Sequence, residues 1–125
     1  MGKAQLFLSL SHYSKFFSKL LGSMAFPGTL NLRVLPEQAD ELSKKAFAEK
    51  KLRLEEKIIG EKKLGGVSCL RAKISNGKAS VACLLVFPDK STHSKGVLEV
   101  VAGENLRQKL VLADGSKVEI SLETK

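Results

Sequence analysis

Asn76-Gly77 falls between two apolar runs, Val67 to Ile74 and Ala79 to Phe87, and this arrangement constrains the fold more than any other feature of the chain. An Asn-Gly pair suits a two-residue type I′ turn, because both central residues there take positive φ and the turn's twist matches the flanking strands. The two runs are therefore expected to form a central antiparallel hairpin, its second strand ending at Pro88, which has no N–H for a ladder. Further strand-like runs surround it: Leu6 to Leu10, Thr29 to Leu35, Leu52 to Ile59, Val97 to Val101 and Lys117 to Leu122. Pro27-Gly28, Pro36, Gly60, Gly65-Gly66 and Asp114-Gly115 punctuate them.

Helical spacing appears in few places. After Ser11, a capping residue type, Tyr13, Phe16, Phe17, Leu20 and Leu21 make one apolar stripe, and Gly22 supplies a stop. Pro36 to about Lys51 reads as a charged helix whose weak inner face is Ala39, Leu42, Ala46 and Phe47. Glu104 to Leu110 reads as a short third helix. Many short strands without βαβ alternation predict a mainly β fold, a small six-stranded β-barrel decorated with two or three short helices.

A chain of 125 residues, 43% hydrophobic, is expected to form one domain over 1–125 with a core that needs no disulfide or structural metal. Cys69 and Cys83 are too few and too far apart for a zinc site, and each lies in an apolar run, so buried reduced thiols are expected. The apolar start, Met1 to Leu10, is broken by Gln5 and Ser9 and is followed by a charged helix, which argues against a targeting segment. The expectation is a cytoplasmic monomer that does not enter a membrane. A net charge of +8 attracts nucleic acid, anionic lipid or a polyphosphate ligand alike. With no Trp and one Tyr to stack on bases, and with Lys44 to Lys63 interrupted by Glu49, Glu55, Glu56 and Glu61, a nucleic-acid partner is disfavoured.

The polar chemistry concentrates at Phe26-Pro27-Gly28-Thr29-Leu30-Asn31-Leu32. Side chains alternate along a strand, so Thr29 and Asn31 share one face and Leu30 and Leu32 the other. A hydroxyl and an amide carbonyl side by side suit a hard cation such as Mg²⁺, which is often shared with substrate phosphates. The same pattern also fits the polar face of a half-exposed strand.

Several segments, in order and nearly end to end, resemble the archaeal CTP-dependent riboflavin kinases, barrels of the cradle-loop type. They are Pro27 to Asn31, Gly65-Gly66-Val67, Phe87-Pro88 leading to Val97-Leu98-Glu99, Asn105-Leu106-Arg107, and Leu112 to Ile120. The resemblance implies transfer of the γ-phosphoryl group of CTP to riboflavin, giving FMN and CDP. It implies that Thr29 and Asn31 hold Mg²⁺, that Ser91 and Glu99 contact the flavin, and that Glu99 orients or deprotonates the ribityl hydroxyl. It implies nucleotide contacts at Gly2, Lys3, Ala4, Gln5, Leu6 and Phe7, and again at Glu104, Asn105, Leu106 and Arg107.

The chain departs from the family pattern at identifiable places. Of three alternating glycines near the phosphates it keeps Gly2, with Ala4 at the last position. Ser91 stands for a threonine, Ser94 for a loop proline and Gly96 for an acid. His93 lies in a polar loop beside Lys90 and Lys95, where a solvated role is expected. Two other classes fit parts of the sequence: a catalytically impaired flavin- or nucleotide-binding barrel, and a basic nucleic-acid-binding β-barrel, whose binding would weaken steeply with salt.

Overall fold

The computed structural model describes residues 11–26, 29–49, 52–59, 61–89, 96–113 and 115–123. In chain order these form α1 (Ser11–Leu21), β1 (Leu30–Arg33), α2 (Pro36–Ala48), β2 (Arg53–Leu54), β3 (Lys57–Ile59) and β4 (Lys62–Leu64). The second half gives β5 (Val67–Ser75), β6 (Ser80–Pro88), β7 (Val97–Val101), α3 (Leu106–Lys109) and β8 (Glu119–Leu122). The expected strand at Leu6 to Leu10 lies outside the described residues.

Six strands make one curled antiparallel sheet, a half-barrel, in the order β1-β7-β6-β5. β2 and β8 both pair with the far edge of β5, β2 at Val67 and Ser68 and β8 at Ala72 to Ser75. The β5–β6 hairpin is its longest ladder, running from Val67↔Pro88 to Ser75↔Ser80. Alternation along these strands feeds two cores. Leu30, Ala72, Ile74, Leu85, Val100 and Leu110 gather on one face. On the other, Val67, Cys69, Leu84, Val86 and Val101 are covered by Tyr13 and Phe17 of α1.

The α1 stripe behaves as its spacing predicts: Tyr13 and Phe17 are buried, and Phe16, Leu20 and Leu21 pack around them. Gly22, at φ +77°, ends the helix in the left-handed region that favours glycine. The Arg71 guanidinium donates to the carbonyl of Leu20, tying the end of α1 to β5. α2 starts with Pro36 at its first turn, and Gln38 Oε1 accepts from the N–H of Leu35 at 3.3 Å.

Four expectations are corrected. The β5–β6 turn is not type I′. It is a four-residue loop, 76–79, in which Gly77 takes φ +92° while Asn76 stays outside the positive region. Asn76 instead uses its side chain, Oδ1 accepting from the N–H groups of Lys78 and Ala79, both at 2.8 Å. Asn thus closes this turn as a side-chain acceptor, its alternative use in turns. Phe47 is 43% exposed, and Leu42 and Ala46 form the inner face of α2 without it. The run Leu52 to Ile59 breaks into β2 and β3, which belong to different sheets, and β3 pairs with β4, a strand the sequence pattern did not mark. The third helix begins at Leu106 rather than Glu104, because Asn105 caps it, Oδ1 accepting from the N–H of Gln108 at 3.3 Å.

Candidate active site

β1 and β7 set the first part of the site through their register. Asn31 pairs with Glu99, so two residues far apart in sequence project from one face of the sheet as cross-strand neighbours, about 5 Å apart at Cβ. Flanking Leu30 and Leu98 are buried on the opposite face, which fixes that register, since a one-residue slip would turn them outward.

Thr29 lies one residue before β1 and lines a cavity of about 180 Å³ together with Glu104, Asn105, Leu106 and Arg107. The chain leading to it is held close: the N–H of Phe26 donates to the carbonyl of Ala102 at 2.8 Å, and that of Ala25 to Ser18 Oγ at 3.0 Å. Thr29, assigned to metal, therefore meets residues 104–107, assigned to nucleotide, in one cavity, whereas Asn31 lines a second, larger one. Thr29 Oγ1 is buried there and has no hydrogen-bond partner among the described residues. An orphaned hydroxyl is costly in a folded protein and calls for a partner such as a water, an ion or a ligand.

Residues 104–107 divide their work. Asn105 caps α3 and Leu106 is 5% exposed, so both serve structure first. Glu104 forms an exposed ion pair with Lys109 at 3.7 Å. Arg107 is exposed and also lines a second, larger cavity of about 1010 Å³ between β1, α2 and β8. After α3 the chain closes a Schellman motif, with the N–H of Leu112 donating to the carbonyl of Arg107 at 2.8 Å and that of Val111 to Gln108 at 3.3 Å.

Ser91 and residues 2–7 lie outside the described residues, as does His93. The residues on either side of 90–95, Asp89 and Gly96, are described. At its start, Arg53 donates from Nη1 to Asp89 Oδ1 at 2.9 Å and from Nη2 to Asp89 Oδ2 at 2.7 Å, a bidentate fork. Nη1 also reaches Ser68 Oγ at 2.9 Å, and Nε pairs with Glu55 at 3.1 Å. The hydrogen bond to Asp89 is the leading reason the guanidinium is held still more firmly charged than usual. At its end, the carbonyl of Gly96 accepts from the N–H of Val34 at 2.8 Å. Sequence reasoning missed Arg53 and Asp89; the two are 36 positions apart, and only the Pro88-Asp89 step hinted at a loop start.

Among the described residues, no three His, Cys, Asp or Glu side chains cluster as a metal site. The hydroxyl and amide oxygens of Thr29 and Asn31 are a weak donor set that fits a hard cation completed by phosphate and water, and poorly fits a transition metal.

Comparison with known proteins decides the family. The family model CTP-dep_RFKase, described as "Domain of unknown function DUF120", matches residues 1–122. The chain belongs to the CTP-dependent riboflavin kinase family. It is 33% identical over 122 residues to the riboflavin kinase of Sulfolobus acidocaldarius, covering 98% of this chain and 75% of that protein. Against the riboflavin kinase of Methanobrevibacter smithii it is 34% identical over 120 residues, covering 96% and 90%. Against that of Methanospirillum hungatei, 32% identity over 122 residues covers 98% of the chain and 53% of the relative. Membership of the riboflavin kinase family makes this chain an enzyme of the kinase class, acting with a nucleotide. No helix among the described residues is long and apolar enough to cross a membrane.

Proposed function

We propose that residues 1–125 form one riboflavin kinase domain that phosphorylates the terminal hydroxyl of the riboflavin ribityl chain from CTP, releasing FMN and CDP. The observation that supports this reading is the buried hydroxyl of Thr29, without a partner among the described residues, in a cavity shared with Glu104 to Arg107. Phosphoryl transfer asks a protein mainly for positioning and charge neutralisation, and this arrangement offers both.

Thr29 and Asn31 are the residues that would hold Mg²⁺. When bound, Mg²⁺ neutralises charge on the phosphate oxygens. Arg107 supplies a fixed positive charge at the edge of the same cavity. Glu99, beside Asn31 across the β1–β7 ladder, orients the ribityl hydroxyl and accepts its proton as the new O–P bond forms and the bond between the β-phosphate oxygen and the γ-phosphorus breaks. Ser91 contacts the flavin, and Gly2, Lys3, Ala4, Gln5, Leu6 and Phe7 complete the nucleotide contacts.

Purified protein is incubated with riboflavin, Mg²⁺ and either CTP or ATP, and FMN is separated from riboflavin. The expected result is FMN from CTP, lost in Thr29→Ala, Asn31→Ala and Glu99→Gln. A folded protein that binds flavin or CDP but makes no FMN would instead be a binding barrel, and the kinase reading would fall.

A further inference from the structure

The two cavities differ in what they can hold. The one around Thr29, about 180 Å³, suits phosphate and a metal ion, whereas the one between β1, α2 and β8, about 1010 Å³, has room for a whole ring-bearing molecule. Of the described residues, only Leu30 and Arg107 line both. The wall of the larger cavity is apolar, with Leu32, Leu42, Leu98 and Ile120 contributed by β1, α2, β7 and β8. Its rim is basic. Arg33 at the end of β1, Lys45 on α2, Arg107 on α3 and Lys117 just before β8 line it while staying exposed, against one carboxylate, that of Glu41. None of these four cations forms an ion pair with another described residue, although Lys44, Arg53 and Lys109 do. Four charges that nothing neutralises therefore converge on one apolar cavity.

An apolar wall under a basic rim selects a flat ring system that carries an anion. Riboflavin is neutral and answers only the wall. FMN has the same ring and a phosphate close to doubly charged at neutral pH, so it answers both. We propose that the larger cavity holds the flavin and that Arg33, Lys45 and Lys117, with Arg107, hold the product FMN more tightly than the substrate riboflavin, so that the product competes with its own precursor. The inference rests on the kinase reading and adds to it three residues and a restraint on turnover. Arg107, which lines both cavities, is where the phosphate formed beside Thr29 comes within reach of the rim.

The test uses the full chain, a triple variant with Arg33→Gln, Lys45→Gln and Lys117→Gln, and a control with Lys15→Gln, Lys73→Gln and Lys78→Gln, three exposed cations outside the cavity. Binding of riboflavin and of FMN is read by quenching of flavin fluorescence, without nucleotide or Mg²⁺, and thermal melting checks folding. In about 20 mM salt, FMN is expected to bind wild type and control about ten-fold or more tighter than riboflavin. That preference should shrink to about two-fold in about 500 mM salt and in the triple variant, with Kd for riboflavin unchanged to within about two-fold. In turnover, FMN should inhibit competitively with riboflavin, and less strongly in the triple variant. Equal binding of the two flavins by wild type, an undiminished preference in the triple variant, or the same loss in the control would each overturn the proposal. Should the triple variant not fold, its three single substitutions replace it, and a preference unchanged in all of them overturns the proposal too. Wild type that makes FMN yet binds both flavins equally sinks this inference alone. Wild type that makes no FMN sinks the kinase reading, and this inference with it.

Discussion

Replacing Thr29 by Val is expected to stabilise the ligand-free protein and to abolish its activity. The hydroxyl of Thr29 is buried, without a partner among the described residues, beside Phe26, Leu30 and Val100 in a small cavity. Holding a hydroxyl there without a hydrogen bond costs about 1–3 kcal/mol, and Val presents a methyl of nearly the same shape. Because the cavity also has polar walls, a net gain of about 1–2 kcal/mol is expected. A chain of 125 residues loses roughly 0.26 kcal/mol per degree at its midpoint, so Tm should rise by about 4–8 °C. Thermal or urea unfolding without ligands measures that shift. On the proposal that Thr29 holds the metal, FMN formation in the same variant should fall by about 100-fold or more, a lost metal contact being worth several kcal/mol in the transition state. Thr29→Ser, which keeps the hydroxyl, should keep activity within about ten-fold of wild type. A lower Tm in Thr29→Val would show that the hydroxyl is already satisfied, and undiminished turnover would show that it is no ligand; either result refutes the reasoning.

Two further outcomes follow from the backbone and the thiols. Val111 is 84% exposed at φ +51°, a conformation that strains a β-branched side chain, so Val111→Gly should stabilise by about 0.5–1 kcal/mol in urea unfolding after the greater freedom of unfolded glycine is subtracted. Burial pushes Cys69 and Cys83 from 9.0 up to about 12, Cys83 with some help from Glu123. Their contribution to stability is therefore complete below pH 9.0 and is lost as pH rises towards 12, because the unfolded thiols ionise first. Denaturation across that range should show the fall, and Cys69→Ala with Cys83→Ala should flatten it.

Much of the fold was legible because its signals are local. The α1 stripe and Gly22 needed only spacing and a left-handed stop, and the long β5–β6 hairpin needed only two apolar runs around a turn pair. The errors arose where a local signal had two physical uses. Asn76 served as a side-chain acceptor, Oδ1 bonding two backbone N–H groups while Nδ2 reaches the Leu110 carbonyl at 2.9 Å, and that long-range bond is invisible to turn statistics. The apolar content of Leu52 to Ile59 did not say that its two halves would pair with different partners.

Of the candidate site, strand alternation suggested pairing Thr29 with Asn31, but the structure sets them at different cavities, while the family was legible from the order of short segments along the chain. Sequence determined the long hairpin, the α1 stripe, the net positive charge and the residue types offered to a cation. Only the tertiary structure set Asn31 against Glu99, closed Thr29 into a cavity with residues 104–107 and locked Arg53 onto Asp89. The physical reason is range: propensity and periodicity act over a few residues, whereas those three meetings depend on sheet register and packing between segments far apart in the chain.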